Sequence, residues 1–295
     1  MCLGEALVDF ICERPVDDLA QADAFVPHFG GAGANVAVTA ARHGAHVALA
    51  SGAGDDAWGR WIRARLGHEH VELSLFELVA GSPTPLAIVA VNAAGEPTYQ
   101  ICGETIASAV HALADRLEAA IEHAAGVYFS SNILVGSAER EITMRAREVA
   151  LGLRRPVVFD PNLRLERWRS RAEAAAACNA CVPGALLVRA NAAEAAVMTG
   201  EDDPERAAVA LLKAGAQMVV ITLGPEGAIL RGELRLDVPG RPATVRSTIG
   251  AGDTLTGVLL ARLANSGFYP AAAAAALPEA VAQSSLACER WGALD

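Results

Sequence analysis

Along the chain, short runs of β-branched and apolar residues alternate with longer segments whose apolar positions recur at helical spacing. Val47–Ala50, Gly126–Phe129, Pro156–Phe159, Ala185–Val188 and Met218–Thr222 are apolar almost throughout and lack the alternation of a half-exposed strand. Strands buried on both faces are written this way, which points to a parallel sheet covered by helices. Ala34–His43, Ser108–Ala124, Ala138–Gly152, Arg169–Cys181, Ala192–Thr199 and Pro204–Ala214 carry the helical period and fill the intervals. This strand–helix alternation predicts an α/β fold: a three-layer α/β/α core around a mostly parallel central sheet.

Two segments break the rhythm. Phe10–Phe29 and Thr84–Cys102 read as short strands joined by turns, with no long helix between them. In the second, apolar Leu86–Val91, turn chemistry over Asn92–Glu96 and extended Pro97–Ile101 make a hairpin. Both segments leave and re-enter the core, so they are expected to pair as one small antiparallel β-sheet, a candidate lid. Residues 1–9, 30–83 and 103–295 then form the core, and residues 10–29 and 84–102 the lid.

Composition narrows the function. The 295 residues are 53% apolar and 20% charged, which is too apolar for a disordered chain and long enough for a large core. A formal charge of −10 argues against wrapping nucleic acid or lying on anionic membrane. The alanine run Ala271–Ala276 is too short to span a bilayer and is expected to end at Pro278. No secretory leader pattern is visible, and six scattered cysteines fit a reducing compartment, so a cytoplasmic location is expected. The lone Cys178-x-x-Cys181 pair lies in a helix-like stretch without partnering histidines and reads as core packing.

The turn Gly250-Ala251-Gly252-Asp253 carries the most chemistry. The run Val258–Ala264 behind it is strongly helical, so the glycines sit at a helix N-terminus, where unpaired amides and the helix dipole favour an anion. Glycine lets backbone approach a phosphate closely. An aspartate there would repel phosphate, but it can take a proton from a hydroxyl attacking that phosphate. The plainer reading is that Asp253 merely caps the helix.

Four blocks stand in order along the chain: Gly4-Glu5-Ala6-Leu7-Val8-Asp9, read as one strand ending in an aspartate; Gly30-Gly31-Ala32-Gly33-Ala34-Asn35 with Gly52-Ala53-Gly54-Asp55 beyond its helix; Phe159-Asp160-Pro161-Asn162-Leu163-Arg164; and the Gly-Ala-Gly-Asp turn. In these blocks the chain resembles the ribokinase-like (PfkB) sugar kinases over nearly its full length, and among them the fructokinases most. The resemblance implies a ribokinase-like fold and transfer of the γ-phosphate of ATP to a primary hydroxyl of a sugar, fructose above all. It implies that Asp9, Gly30, Gly31 and Asn35 hold the sugar, that Gly250, Ala251 and Gly252 form the anion hole, and that Asp253 is the base. Arg164 would reach toward the transferring phosphate or the sugar; with a single lysine in the chain, Lys213, it is the best candidate cation for the γ-phosphate. Asn191-x-x-Glu194 resembles the motif that organises Mg²⁺ through water, although alone it reads as an ordinary helix start with an exposed Glu. Thr222, Gly224 and Gly227 resemble the nucleotide loop, although alone they read as a tight turn.

Three departures from the family pattern stand out. Ser247 replaces an aspartate that helps hold a monovalent cation, which puts K⁺ activation in question. The second lid strand ends in Cys102 with no arginine, and Ser130-Ser131-Asn132 replaces a glycine-containing turn, so the sugar pocket is expected to differ in shape. Other readings stay open: a kinase for 2-keto-3-deoxygluconate, ribose or a nucleoside, the last because Phe10, Phe25, Phe29 and Tyr99 fall in the lid, and a non-catalytic sugar-binding regulator on the same fold. A dinucleotide-binding oxidoreductase is disfavoured, since Val36 stands where G-x-G-x-x-G needs its third glycine. Lids of this family often pair across a homodimer, which is the expected assembly.

Overall fold

The computed structural model describes residues 1–103 and 105–294; positions 104 and 295, within the expected core range, lie outside them. The strands, numbered along the chain, are β1 (Cys2–Leu3), β2 (Leu7–Pro15), β3 (Val26–Gly30), β4 (Leu49–Gly54), β5 (Phe76–Val79), β6 (Leu86–Val91), β7 (Pro97–Cys102), β8 (Val127–Ser130), β9 (Val157–Asp160), β10 (Leu187–Asn191), β11 (Met218–Thr222), β12 (Gly227–Gly232) and β13 (Leu236–Pro239). The helices are α1 (Ala32–Arg42), α2 (Ala57–His68), α3 (Thr105–His123), α4 (Ser137–Gly152), α5 (Arg171–Asn179), α6 (Ala192–Thr199), α7 (Pro204–Lys213), α8 (Ala251–Asn265) and α9 (Pro270–Ala287).

Two sheets result. A nine-stranded sheet runs β13-β12-β11-β10-β9-β8-β1-β4-β5, and a four-stranded one runs β3-β2-β6-β7. In the large sheet every pair from β11 across to β5 is parallel, and only β12 and β13 run antiparallel at the edge. Apolar residues of α1, α8 and α9 pack on one face and those of α3 to α7 on the other. Coverage on both faces explains why Val219, Val220 and Ile221 are all fully buried. Strand order reverses at β1, between β4 and β8. The carboxyl ends of strands at such a reversal leave a crevice where open α/β sheets bind ligands.

The structure corrects several expectations. Residues 1–9 are not one core strand. Only Cys2–Leu3 join the large sheet, while Leu7–Pro15 pair with β3 and place Asp9 opposite His28 in the small sheet. The small sheet is mixed rather than antiparallel, because β2 and β6 lie parallel. The strand expected at Val47–Ala50 runs over Leu49–Gly54; pairing with β1 and β5 overrides the poor strand preference of its two glycines. Helix α9 continues through Pro278, where packing of Ala276, Leu277 and Ala280 offsets one lost backbone hydrogen bond. Among the described residues no helix is long and apolar enough to cross a membrane, and Cys178 and Cys181 are buried free thiols.

An aromatic cluster fixes one end of the small sheet. Phe10 meets Trp58 of α2 edge-on at 5.3 Å between ring centroids, Phe29 lies 6.4 Å from Trp61, and the two tryptophans are 5.9 Å apart. Side chains alternate across a strand, so Phe10 turns to α2 while Asp9 faces the crevice.

Candidate active site

Helix α8 opens at the crevice. Gly250 is its N-cap residue and no side chain caps it, so Asp253 does not play the plain capping role. The Ala251 amide turns back to the Thr248 carbonyl at 3.3 Å, and the Ala251 carbonyl accepts from Ser284 Oγ at 2.8 Å. Among the described residues, the amides of Gly252 and Asp253 meet no protein acceptor, so they are the open donors at this helix end.

The Asp253 carboxylate is gripped from both sides. Its Oδ2 accepts from Asn35 Nδ2 at 2.8 Å and its Oδ1 from Asn162 Nδ2 at 3.0 Å. Asn35 sits in the first turns of α1, whereas Asn162 follows β9 with φ of 39°, a left-handed conformation that asparagine tolerates better than most residues. Burial pushes the Asp253 carboxyl up to about 7, with Asp160 adding to the rise and the Asn35 hydrogen bond and Arg164 opposing it. A group balanced there gives up and takes protons near neutrality.

Beneath this helix end lies a buried ionic layer that the sequence reading did not single out. Arg189 of β10 reaches Asp160 Oδ2 at 3.3 Å and donates to Thr222 Oγ1 at 2.9 Å. Asp160 also accepts from Thr256 Oγ1 of α8 at 2.7 Å, so strand β9 fixes the helix that carries Asp253. A Cβ on Gly252 would lie 2.6 Å from Arg189 Nη1; glycine lets the helix end settle directly on the guanidinium. Arg189 Nε has no partner among the described residues, and Arg189 lines the cavity.

A cavity of about 580 Å³ joins this helix end to the small sheet. Asp9, Leu7, Ala87, Tyr99 and Ile101 come from the sheet; Gly31, Asn35, Arg164 and Asn191 come from the core. Asp9 is buried, and that burial raises its carboxyl to about 7, with Arg164 opposing and Asp253 reinforcing the rise. Gly30 packs against the Asp9 carboxylate and does not line the cavity itself. Asn35 Oδ1 is buried with no partner among the described residues, which leaves an acceptor for a hydroxyl. The Arg164 guanidinium lies 4.7 Å from the Tyr99 ring centre and so bridges core and small sheet. Glu5, unassigned by the sequence reading, accepts from the Ala32 amide at 3.0 Å and from Asn132 Nδ2 at 2.8 Å, tying the start of α1 to the end of β8. Of the four lid aromatics, Tyr99 alone lines the cavity: Phe10 and Phe29 pack on α2 and Phe25 is solvent-exposed.

The remaining expected site residues divide. Asn191 and Glu194 line the cavity and form a capping box at the start of α6, with Glu194 Oε2 on the Asn191 amide and Oε1 on the Leu163 amide. Glu194 is buried rather than exposed, and burial together with Asp160 raises its carboxyl. Among the described residues no group of three His, Cys, Asp or Glu side chains converges as a metal cage. The Asn191/Glu194 pair is all-oxygen, with its oxygens already engaged by backbone amides, and this suits a Mg²⁺ ion that keeps most of its water. Thr222 touches the ionic layer through Arg189 but, like Gly224 and Gly227 of the turn between β11 and β12, does not line the cavity. Ser247 is fully buried and its Oγ accepts from the Ile249 amide at 3.1 Å.

The family model of the pfkB carbohydrate kinases matches residues 1–293. Fructokinase-1 of Oryza sativa subsp. japonica is 33% identical over 262 residues, which is 88% of this chain and 81% of that protein. A fructokinase of Klebsiella pneumoniae is 32% identical over 300 residues, covering 99% of this chain and 94% of its own length. Among solved structures, a double mutant of Vibrio cholerae O395 fructokinase, bound to fructose, ADP and potassium ion, superposes with a TM-score of 0.85 at 27% identity, covering 99% of this chain and 93% of that one.

Proposed function

The chain belongs to the pfkB family of carbohydrate kinases, phosphotransferases with an alcohol acceptor, and from that premise we propose that it transfers the γ-phosphate of ATP to a primary hydroxyl of fructose. One observation carries the reading: a buried carboxylate, each oxygen held by an asparagine amide, stands beside the open amides of the same helix end.

In this mechanism the phosphates of ATP lie on the amides that follow Gly250. The sugar sits between Asp9, Gly31 and Asn35, with Asn35 Oδ1 accepting from one of its hydroxyls. Asp253 takes the proton of the primary hydroxyl as that oxygen bonds to the γ-phosphorus; the bond to the β-phosphate oxygen breaks, and ADP leaves with its electron pair. The helix-end amides, Arg189 below them and Arg164 at the cavity wall offset the charge on the transferring group. Bound Mg²⁺, held through water by Asn191 and Glu194, would supply charge neutralisation between the phosphates. The small sheet acts as a lid that keeps water from competing as acceptor.

Fructose is favoured over a nucleoside because Phe10 and Phe29 pack on α2, leaving Tyr99, among the described residues, without aromatic partners for a base. Coupled ADP release with fructose, 2-keto-3-deoxygluconate, ribose and adenosine tests this. Fructose is expected to give the highest kcat/KM; faster turnover of another acceptor reassigns the substrate, and no turnover by folded protein defeats the kinase reading. With Ser247 Oγ already bonded to a backbone amide, adding K⁺ is expected to change the rate less than about twofold.

A further inference from the structure

The turn between β6 and β7 reaches across to the phosphate end of the cavity. Thr248 donates its backbone N–H to the Gly95 carbonyl at 2.8 Å, and its hydroxyl donates to the same oxygen at 3.2 Å. The turn is built to present that carbonyl. Asn92 Oδ1 accepts from the amides of Ala94 at 2.9 Å and Glu96 at 3.0 Å, and the Gly95 amide donates to the Asn92 carbonyl at 2.9 Å. Gly95 has φ of 83°, and a Cβ there would run into the Val245 side chain, with the loop backbone at 3.6 Å. A side chain at this position strains the turn backbone and must displace that exposed valine.

That loop leads directly into the open amides of α8. From behind, it is held by the end of α9, since the Arg246 and Ser247 amides donate to the Cys288 carbonyl at 2.8 and 3.2 Å. From the front it is held by Gly95. Only the front support depends on where the small sheet sits, and β7, which follows the turn, gives Pro97, Tyr99 and Ile101 to the cavity wall.

We propose that Gly95 and Thr248 are positioning residues that make the phosphate-binding amides at the start of α8 depend on closure of the small sheet over the acceptor. The proposal rests on the kinase reading. When the hairpin lifts to admit a sugar, both bonds to the Gly95 carbonyl break and the loop entering α8 loses its front support. When the hairpin closes on a bound sugar, the support returns. ATP without a sugar then meets an imperfect phosphate site, which suppresses transfer to water. The coupling runs through protein from one substrate's wall to the other's, so it operates with ADP, before any chemistry.

The test uses Gly95→Ala, the double variant Gly95→Ala/Val245→Ala, which removes the clashing methyl, and Thr248→Val, which removes the hydroxyl donor and leaves the turn backbone untouched. Two readouts are taken: calorimetric ADP affinity with and without the best acceptor sugar, and hydrogen exchange of the Thr248–Asp253 amides. In the wild type the sugar is expected to tighten ADP at least about fivefold. Gly95→Ala should bring that ratio below about twofold and speed exchange at Thr248–Asp253, with sugar affinity in the absence of ADP within about twofold of wild type. The double variant should recover much of the ratio, and Thr248→Val should fall between. A wild type without coupling, a Gly95→Ala protein that keeps the full ratio, or a double variant no better than the single one overturns the proposal. If Gly95→Ala does not fold, unchanged coupling in Thr248→Val overturns it. Failure of the kinase reading would look different: the wild type would phosphorylate no sugar, while exchange at Thr248–Asp253 still responded to Gly95→Ala.

Discussion

The two ends of the cavity are held by different physics. At the phosphate end, Asp253 and the α8 amides rest on Asp160, Arg189, Thr222 and Thr256, a hydrogen-bonded layer inside the central sheet. At the acceptor end, the small sheet packs Val8, Ile11, Phe29 and Val89 into the apolar core, while its cavity-facing side is held by the Tyr99–Arg164 stack and the Gly95 carbonyl on Thr248. Buried charged networks break expensively and all at once, whereas a hairpin end held by one stack and one carbonyl opens at smaller cost. A transferase needs both: fixed groups where bonds change, and a wall that moves for entry and release.

That contrast can be attacked from its strongest point downward. Asp253→Asn should fold normally and lose about 10³- to 10⁴-fold in kcat, measured by coupled ADP release; activity within about tenfold of wild type would remove Asp253 as base. Arg189→Lys keeps a charge beside Asp160 but cannot span both Asp160 and Thr222, so kcat is expected to fall about 10²-fold while thermal unfolding stays cooperative. A rate within threefold of wild type would make the ionic layer purely structural. Asn162→Ala removes one amide that favours the charged carboxylate. In the wild type kcat/KM should rise with pH through about 7 as Asp253 deprotonates, and in the variant this acidic limb should move to higher pH, with about a tenfold loss at neutrality. A limb that stays put would separate Asn162 from the base. The smallest effect belongs to the acceptor end: Phe10→Ala should raise the sugar KM about threefold to tenfold and lower stability by ~1–2 kcal/mol, with a smaller rise in the KM for ATP passed on through the Gly95–Thr248 contact. Equal losses on both substrates would mean that Phe10 does not act on the acceptor wall first.

Legibility in the sequence followed locality. Met218–Thr222 and Ala192–Thr199 occur as strand and helix with the boundaries their patterns suggest, because each is set by its own period and caps. The Gly250–Asp253 turn was readable for the same reason: glycine, helix start and aspartate are all within one turn. Arg189 was not. The apolar run stops at Val188, yet the strand carries on to Asn191 with the arginine buried in it. An arginine inside a two-face-buried strand must have partners, and that was the available signal; its partners, Asp160 and Thr222, lie on neighbouring strands and are not apparent from spacing. Asn162 falls within a motif, but its grip on Asp253 depends on a left-handed backbone that no pattern specifies. The edge strands β12 and β13 and the parallel β2–β6 pairing come from contacts between distant segments, which periodicity does not encode.

The clamp on Asp253 also sets a schedule for the making of the protein. The two amides that hold the carboxylate belong to residues 218 and 91 positions earlier in the chain. During synthesis the first helix, with Asn35, emerges long before its partner, and the crevice beside β1 has no helix α8 to close it until Ala251–Asn265 has been made. A chain ending before Asp253 would lack the proposed base and the helix end proposed to bind phosphate, so it is expected to be silent toward ATP. Activity is expected only once helix α8 docks against α1, a long-range step of the kind that slows folding and calls for protection of exposed apolar surface.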